Sequence, residues 1–280
     1  MNPFRSQRHL SIDETDTTGT HRVKKLIYIA LAIGVAAVSP AIAKDADWIE
    51  KSNAHAQVVL DVFAEFSPEG AGSLGVDGLD EQILDLGPGI HERNVVASEK
   101  VLAELARRLE NETDKRVRQD IEILRKALRD NIRTSKLNYD QLLPYYNISQ
   151  TVFFGVRGLI DPQIPRERYP AAVTRIEKYA GLVEGYTPLV ELAKDRTRER
   201  FDVDGLVGPY RGEIEQDLER AETFVTGIEE LLSGTDLEGW QESYSVLAGQ
   251  LRDYNEWLLS LIHISEPTRL DLASRMPSAA

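Results

Sequence analysis

Residues 213–258, EIEQDLERAETFVTGIEELLSGTDLEGWQESYSVLAGQLRDYNEWL, decide the fold class. Ile214, Leu218, Ala221, Val225, Ile228 and Leu232 recur at steps of three and four, the spacing that lines one face of an α-helix. Trp240, Tyr244, Leu247, Leu251, Tyr254 and Leu258 form a second stripe of the same period. Between them stands Ser233-Gly234-Thr235-Asp236, a glycine suited to a helix end followed by two residues suited to capping the next helix. This pattern predicts a C-terminal antiparallel helical hairpin.

The same period extends upstream. A first helix is expected over about Asp47 to Phe66, with Trp48, His55, Val59, Val62 and Phe66 near one face. A long Gly-rich loop follows, carrying Gly70, Gly72, Gly75, Gly78, Gly87 and Gly89 with Pro68 and Pro88. Helical signal resumes near Asn94 and breaks around Asn111. Thr113 then reads as the cap of a helix whose Val117, Ile121, Leu124, Leu128 and Ile132 share a face. Pro144 marks a boundary before Ile148–Ile160, an apolar, Gly-interrupted segment that reads as a buried helix. Pro162 and Pro165 frame a turn before a helix containing Val173, Ile176 and Tyr179, and another helix runs from about Pro188 to Arg200. No run shows strand alternation, so the fold class is all-α, a multi-helix array.

The chain has 280 residues, a net charge of −13 and no cysteine. Disulfide scaffolds, thiolate metal sites and cysteine nucleophiles are therefore excluded. The acidity, with no basic cluster after the leader, argues against nucleic acid and anionic lipid as partners. Near the N-terminus, Arg22, Lys24 and Lys25 precede an apolar run from Leu26 to Val38, then Pro40 and Ala41-Ile42-Ala43. That order is what signal peptidase requires, and the run falls short of the roughly 20 residues of a membrane-spanning helix. Residues 1–43 are therefore expected to be a leader with a cleavable signal peptide, and the protein periplasmic or secreted from a bacterium. Residues 44–258 form the helical domain. Residues 259–280 read as a non-native or disordered tail, because Leu261–Arg269 looks like translated adapter or vector sequence and Pro267 and Pro277 oppose regular structure.

No complete active site is legible. His91-Glu92 begins like the H-E-x-x-H zinc motif, but Val95 stands where the second histidine belongs. His91 therefore reads as a solvated loop histidine, and His55 as a hydrogen-bonded histidine on an apolar face. His263 lies in the tail. Glu213 with Asp217, and Glu229 with Glu230, are carboxylate pairs of the sort any acidic helix surface carries. Tyr145, Tyr146, Phe153 and Phe154 could line a ligand pocket, although an apolar aromatic cluster is more often core. Catalytic, cofactor-binding and metal-binding residues are accordingly all assigned as none.

The order of segments resembles a bacterial family of exported helical proteins of unknown function that is distantly related to helical zinc carboxypeptidases. The resemblance rests on Ser67-Pro68, Ser73–Asp77, Asp85-Leu86, Arg118–Ile121 with Leu124, Asn147–Ile160, Ile164-Pro165, Glu167–Tyr169 and Tyr179–Gly181. It is a likeness of pattern, without a sharp motif, over about Asp47 to Leu258. It implies a zincin-like metallopeptidase whose zinc motif lies in a C-terminal half absent here, so zinc is expected only there. The implied partners are that missing half and a peptide substrate. The alternative is a self-contained periplasmic binding or adaptor module. A missing half would leave apolar surface uncovered on Asn147–Ile160 and on the aromatic residues of the final hairpin.

Overall fold

The computed structural model describes residues 47–209 and 211–274, with side chains through Leu261. The leader expected over residues 1–43 lies outside the described residues. Nine α-helices occur among those described: α1 (Asp47–Phe66), α2 (Pro68–Ser73), α3 (Ile90–Asn111), α4 (Lys115–Gln141), α5 (Ile148–Ile160), α6 (Pro170–Tyr179), α7 (Leu189–Arg198), α8 (Arg211–Ser233) and α9 (Gln241–Ser274). A 3-10 turn, Arg166–Arg168, precedes α6. The described residues contain no strand. One isolated bridge joins Leu142 and Val207.

The helices pack as two groups. In the first, α1, α3 and α4 lie against one another around Leu105, Val117 and Ile121, with Trp48, Val58 and Val59 closing over them. A second small cluster, Val95, Leu128 and Ile132, extends the α3–α4 contact. The stripe on α4 explains this placement, since Val117, Ile121, Leu128 and Ile132 are all buried and Leu124 is half-buried. The cap of α4 is Asp114, whose carboxylate accepts from the Arg116 amide at 2.8 Å, and not Thr113. Asp114 is one residue nearer the first helical turn, where a carboxylate both bonds the free amide and suits the positive end of the helix.

The second group, α5 to α9, holds the main core. Ile148, Val152, Val156 and Leu159 of α5 meet Ile176 and Tyr179 of α6, Leu189 of α7, Val225 and Ile228 of α8, and Leu251 and Tyr254 of α9. Helices α8 and α9 run in opposite directions: Tyr244 reaches Val225 and Glu229, while Arg252 reaches Glu222. Gly234 is not left-handed. The turn is instead closed by Thr235, whose hydroxyl donates to the Leu232 carbonyl at 2.6 Å and accepts from the Leu237 amide at 3.2 Å.

Two expectations are corrected here. Asn147–Ile160 and the hairpin aromatics were expected to present uncovered surface, but seven residues of α5 are buried, as are Trp240, Tyr244 and Tyr254, while Phe154 is exposed and Trp257 half-buried. The reason is that α9 faces α6 and α7 as well as α8, so its aromatic face has three partners within the chain. The second correction concerns the end of α9. The helix continues to Ser274, through Pro267, and so regular structure does not stop there. Proline removes one amide donor and crowds the preceding turn, a local cost of about 3 kcal/mol that kinks or weakens a helix without always ending it.

The Gly-rich stretch is only partly loop, because α2 occupies its first residues. Helix α2 touches α1 and α5, and thereby links the two groups. The remainder, residues 74–89, is pinned by polar side chains. Arg175, 2% exposed, donates to the carbonyls of Leu79 (2.9 Å) and Gly155 (2.6 Å). Lys178 donates to the Glu81 carbonyl, and Arg168 holds Asp80 through two bonds of 2.8 and 2.6 Å. Glu69 accepts from the Leu84 amide at 2.8 Å. These anchors bring the end of the loop against α4 and α7, where the cleft opens.

Candidate functional site

A cleft of about 750 Å³ opens among the loop end, the start of α3, the end of α4 and the end of α7. Its apolar wall includes Leu84, Leu86, Leu142, Leu143, Pro144 and Val207. Its polar wall includes His91, Glu92, Tyr139, Arg196, Glu199 and Arg200. The segment around Val207 is tied across one side by the Leu142–Val207 bridge, with the Leu143 amide donating to the Val207 carbonyl at 2.9 Å and the Val207 amide to Gln141 at 2.8 Å.

The centre of the polar wall is a three-layer stack. The His91 and Tyr139 rings are parallel within 4°, with centroids 3.9 Å apart. The Arg200 guanidinium lies 4.0 Å from the centroid of the same Tyr139 ring. Two groups that close to one ring cannot share a face, so Tyr139 is sandwiched between His91 and Arg200. Arg200 also donates to the Tyr139 carbonyl at 2.9 Å, and its Nε is buried with no acceptor. It forms no ion pair among the described residues.

Arg196 is one helical turn before Arg200 and 7% exposed. It donates to the Leu86 carbonyl at 3.1 Å and to the Glu199 carboxylate, and its Nε is likewise without an acceptor. Asp85 is taken up by Arg93 and by the Gly87 amide, both at 2.6 Å. Helix α3 begins after Gly89, which has φ of +66°, and no side chain caps it.

Burial depresses the His91 pKa, with Arg200 and Lys136 acting in the same direction against Glu92 and Asp140. The imidazole is therefore neutral at pH 7. Burial, and then the Glu92 carboxylate, push the Tyr139 phenol above its ordinary value. Tyr146 is raised chiefly by burial. The wall thus offers one neutral imidazole, protonated phenols and two fixed guanidinium charges.

The sequence candidates are distributed unevenly. His91 is not a solvated loop residue: it lies in the first turn of α3, half-buried, with Nδ1 3.4 Å from the Ser135 hydroxyl. The Gly-Pro-Gly stretch before it hid this, because the helix starts immediately after Gly89. His55 sits between α1 and α3, with Nδ1 3.2 Å from Arg108 Nη1, far along α1 from the cleft end at Phe66. His263 lies where only backbone is described. Tyr145 and Tyr146 line the cleft, whereas Phe153 and Phe154 pack with Phe224 elsewhere. Glu213 reaches the cleft, and Asp217 accepts from the Tyr145 hydroxyl at 2.6 Å. Glu229 serves Tyr244 at 3.5 Å, and Glu230 is exposed. Arg196 and Arg200 went unnoticed in the sequence. Their i, i+4 spacing at a helix end was the available signal.

Among the described residues no group of three or more His, Cys, Asp or Glu side chains is placed to hold a metal ion. None of their helices is long and apolar enough to cross a membrane. Residues 68–258 match a family described as a bacterial protein of unknown function, DUF885. No curated protein and no solved structure matches the chain.

Proposed function

The chain belongs to the DUF885 family of bacterial proteins of unknown function, and from that premise we propose that it is an exported helical ligand-binding domain. The observation that carries this is the cleft of about 750 Å³, within the range of about 300–1,000 Å³ typical of small-molecule sites. Its composition suits binding: an apolar wall faces a wall with a few fixed polar groups. The core of α5 to α9 is closed by residues of this chain, which favours a module that folds and binds on its own. Export rests on the leader pattern of Arg22 to Ala43.

Ligand-observed NMR with a mixed fragment library tests the reading. Fragments should saturate the protein, and replacing Val207 by Trp should displace them by filling the mouth. Absence of any saturable binding in the unmodified chain would falsify it.

A second reading takes the chain as the N-terminal part of a zinc-peptidase-like protein, with the cleft as one wall of a larger substrate site and the metal ligands supplied by a C-terminal half. The exposed apolar rim favours it, since Leu142 (42%) and Val207 (61%) line the cleft. The downstream coding sequence decides between the two: an H-E-x-x-H helix supports the peptidase reading, and an adjacent stop codon removes it.

A further inference from the structure

We propose that the cleft takes a small organic carboxylate, with the charge on Arg200 and an apolar body against Leu84, Leu142, Leu143 and Val207. This rests on reading the cleft as a ligand site. It adds the chemical class.

The argument begins with charge. In a chain of net charge −13, two arginines face one cavity. Arg196 is already matched by Glu199. Arg200 has no carboxylate partner among the described residues. Its bonds go to the Tyr139 carbonyl and to the face of the Tyr139 ring. One Nη2 hydrogen goes to the Tyr139 carbonyl and the Nε is buried, so the remaining Nη hydrogens of this cleft-lining guanidinium are what it can offer a carboxylate. The stack also fixes its position. Tyr139 is held from the opposite side by His91, whose own contact is with Ser135. The arginine is therefore preorganised, so less rotamer freedom is lost when the ligand binds.

The size of the anionic charge follows from the rest of the wall. Asp85 is satisfied by Arg93 and Glu199 by Arg196, but Glu92 and Glu213 also line the cleft and form no ion pair among the described residues. For a dianion such as phosphate both the attraction to Arg200 and the repulsion from those two carboxylates double, and with two carboxylates against one guanidinium the added charge brings no net gain. A single carboxylate matches the one guanidinium that lacks a partner. The uncapped start of α3, at Gly89 and Ile90 on the same wall, adds positive backbone potential that favours one negative charge. The remainder of the ligand is apolar because the facing wall is built of leucines, Pro144 and Val207 and offers few hydrogen-bond partners.

Isothermal titration of the full chain with N-acetyl-leucine and with N-acetyl-leucinamide tests the assignment. The two differ only in the carboxylate. The acid should bind saturably and the amide about tenfold more weakly, the scale of one charge-assisted bidentate contact. Arg200→Gln should erase the difference between acid and amide, while Arg200→Lys should restore part of it. Arg129→Gln, on the outer face of α4 and away from the cleft, should leave both affinities unchanged. Should Arg200→Gln perturb the fold, the acid–amide comparison in the unmodified chain still decides. Equal binding of the two overturns the carboxylate assignment and leaves the ligand site standing. Inorganic phosphate displacing bound fragments where N-acetyl-leucine does not also overturns it. Failure of both probes and of every neutral fragment removes the site reading itself.

Discussion

The hydroxyl of the wholly buried Tyr179 donates to Glu69 Oε1 at 2.7 Å, joining α6 to α2 across 110 residues of chain. The same carboxylate oxygen accepts from the Leu84 amide, so one side chain ties α2, α6 and the loop that walls the cleft. A Cβ placed on Gly155 would overlap the tyrosine hydroxyl, which explains why glycine sits in the middle of α5.

Tyr179→Phe should therefore destabilise the fold by about 1–3 kcal/mol, because a hydrogen bond from a fully buried hydroxyl to a carboxylate is lost. Gly155→Ala should cost at least as much, since it displaces the hydroxyl and crowds Glu69 as well. Urea unfolding followed by circular dichroism measures both. Two midpoints equal to that of the unaltered protein would show that this junction contributes nothing.

Acid stability should depend on the Asp80–Arg168 pair. The two hydrogen bonds from Arg168 hold the Asp80 carboxyl below its ordinary value, although burial opposes them. A depressed carboxyl stabilises the fold fully above its unfolded value of about 3.9 and loses that contribution as pH falls through the lower folded value. Both side chains are partly exposed, so the effect is modest. In Arg168→Gln this part of the pH dependence should vanish. Unfolding curves from neutral to acid pH should show the two proteins converging at the acid end.

His91 should titrate below its ordinary value, so its contribution to stability is complete above about pH 6.5 and declines as pH falls toward the lower folded value. Arg200→Gln removes a positive neighbour and should move the imidazole pKa upward. Heteronuclear NMR of the ring across the acid range gives both values. An unchanged or lower pKa in the variant would place Arg200 farther from His91 than the stack requires.

Export should remove the leader after Ala43 and leave Lys44 as the first residue, given the small residues Ala41 and Ala43 behind a short apolar run. Intact-mass measurement of protein from the periplasmic fraction checks this. A mass that retains Leu26–Val38 rules it out.

Helices were legible where an apolar stripe was long and continuous. The stretches expected at Asp47–Phe66 and Ile148–Ile160 are α1 and α5. Ends were less legible, as with Thr113 and Gly234, because a cap depends on which of several adjacent polar residues faces the open amides or carbonyls. Of the cleft, only Tyr145 and Tyr146 were legible, as aromatic residues that could line a pocket. Its stack draws His91 and Tyr139 from two helices and Arg200 from the turn after α7, and no spacing along the chain records that meeting. The expected uncovered surface on α5 and α9 failed for the same reason. The partners that cover those faces, α6 and α7, are short helices whose stripes say nothing about where they dock.

The loop before α3 is held mostly by its main chain: Arg175 takes the Leu79 carbonyl, Lys178 that of Glu81, Glu69 the Leu84 amide and Arg196 the Leu86 carbonyl. Grips on carbonyls and amides do not read side chains. Within 79–86 only the exposed Glu81 and Gln82 can therefore be exchanged at little cost, since Leu79 and Leu86 are buried, Ile83 and Leu84 pack against the core, and the Asp80 and Asp85 carboxylates are themselves used. Length is another matter. Adding or deleting one residue between Leu79 and Leu86 would shift every later grip by a peptide unit and slide the start of α3, with His91, along the cleft wall. The segment thus works as a ruler, and its count of residues sets where the cleft wall stands.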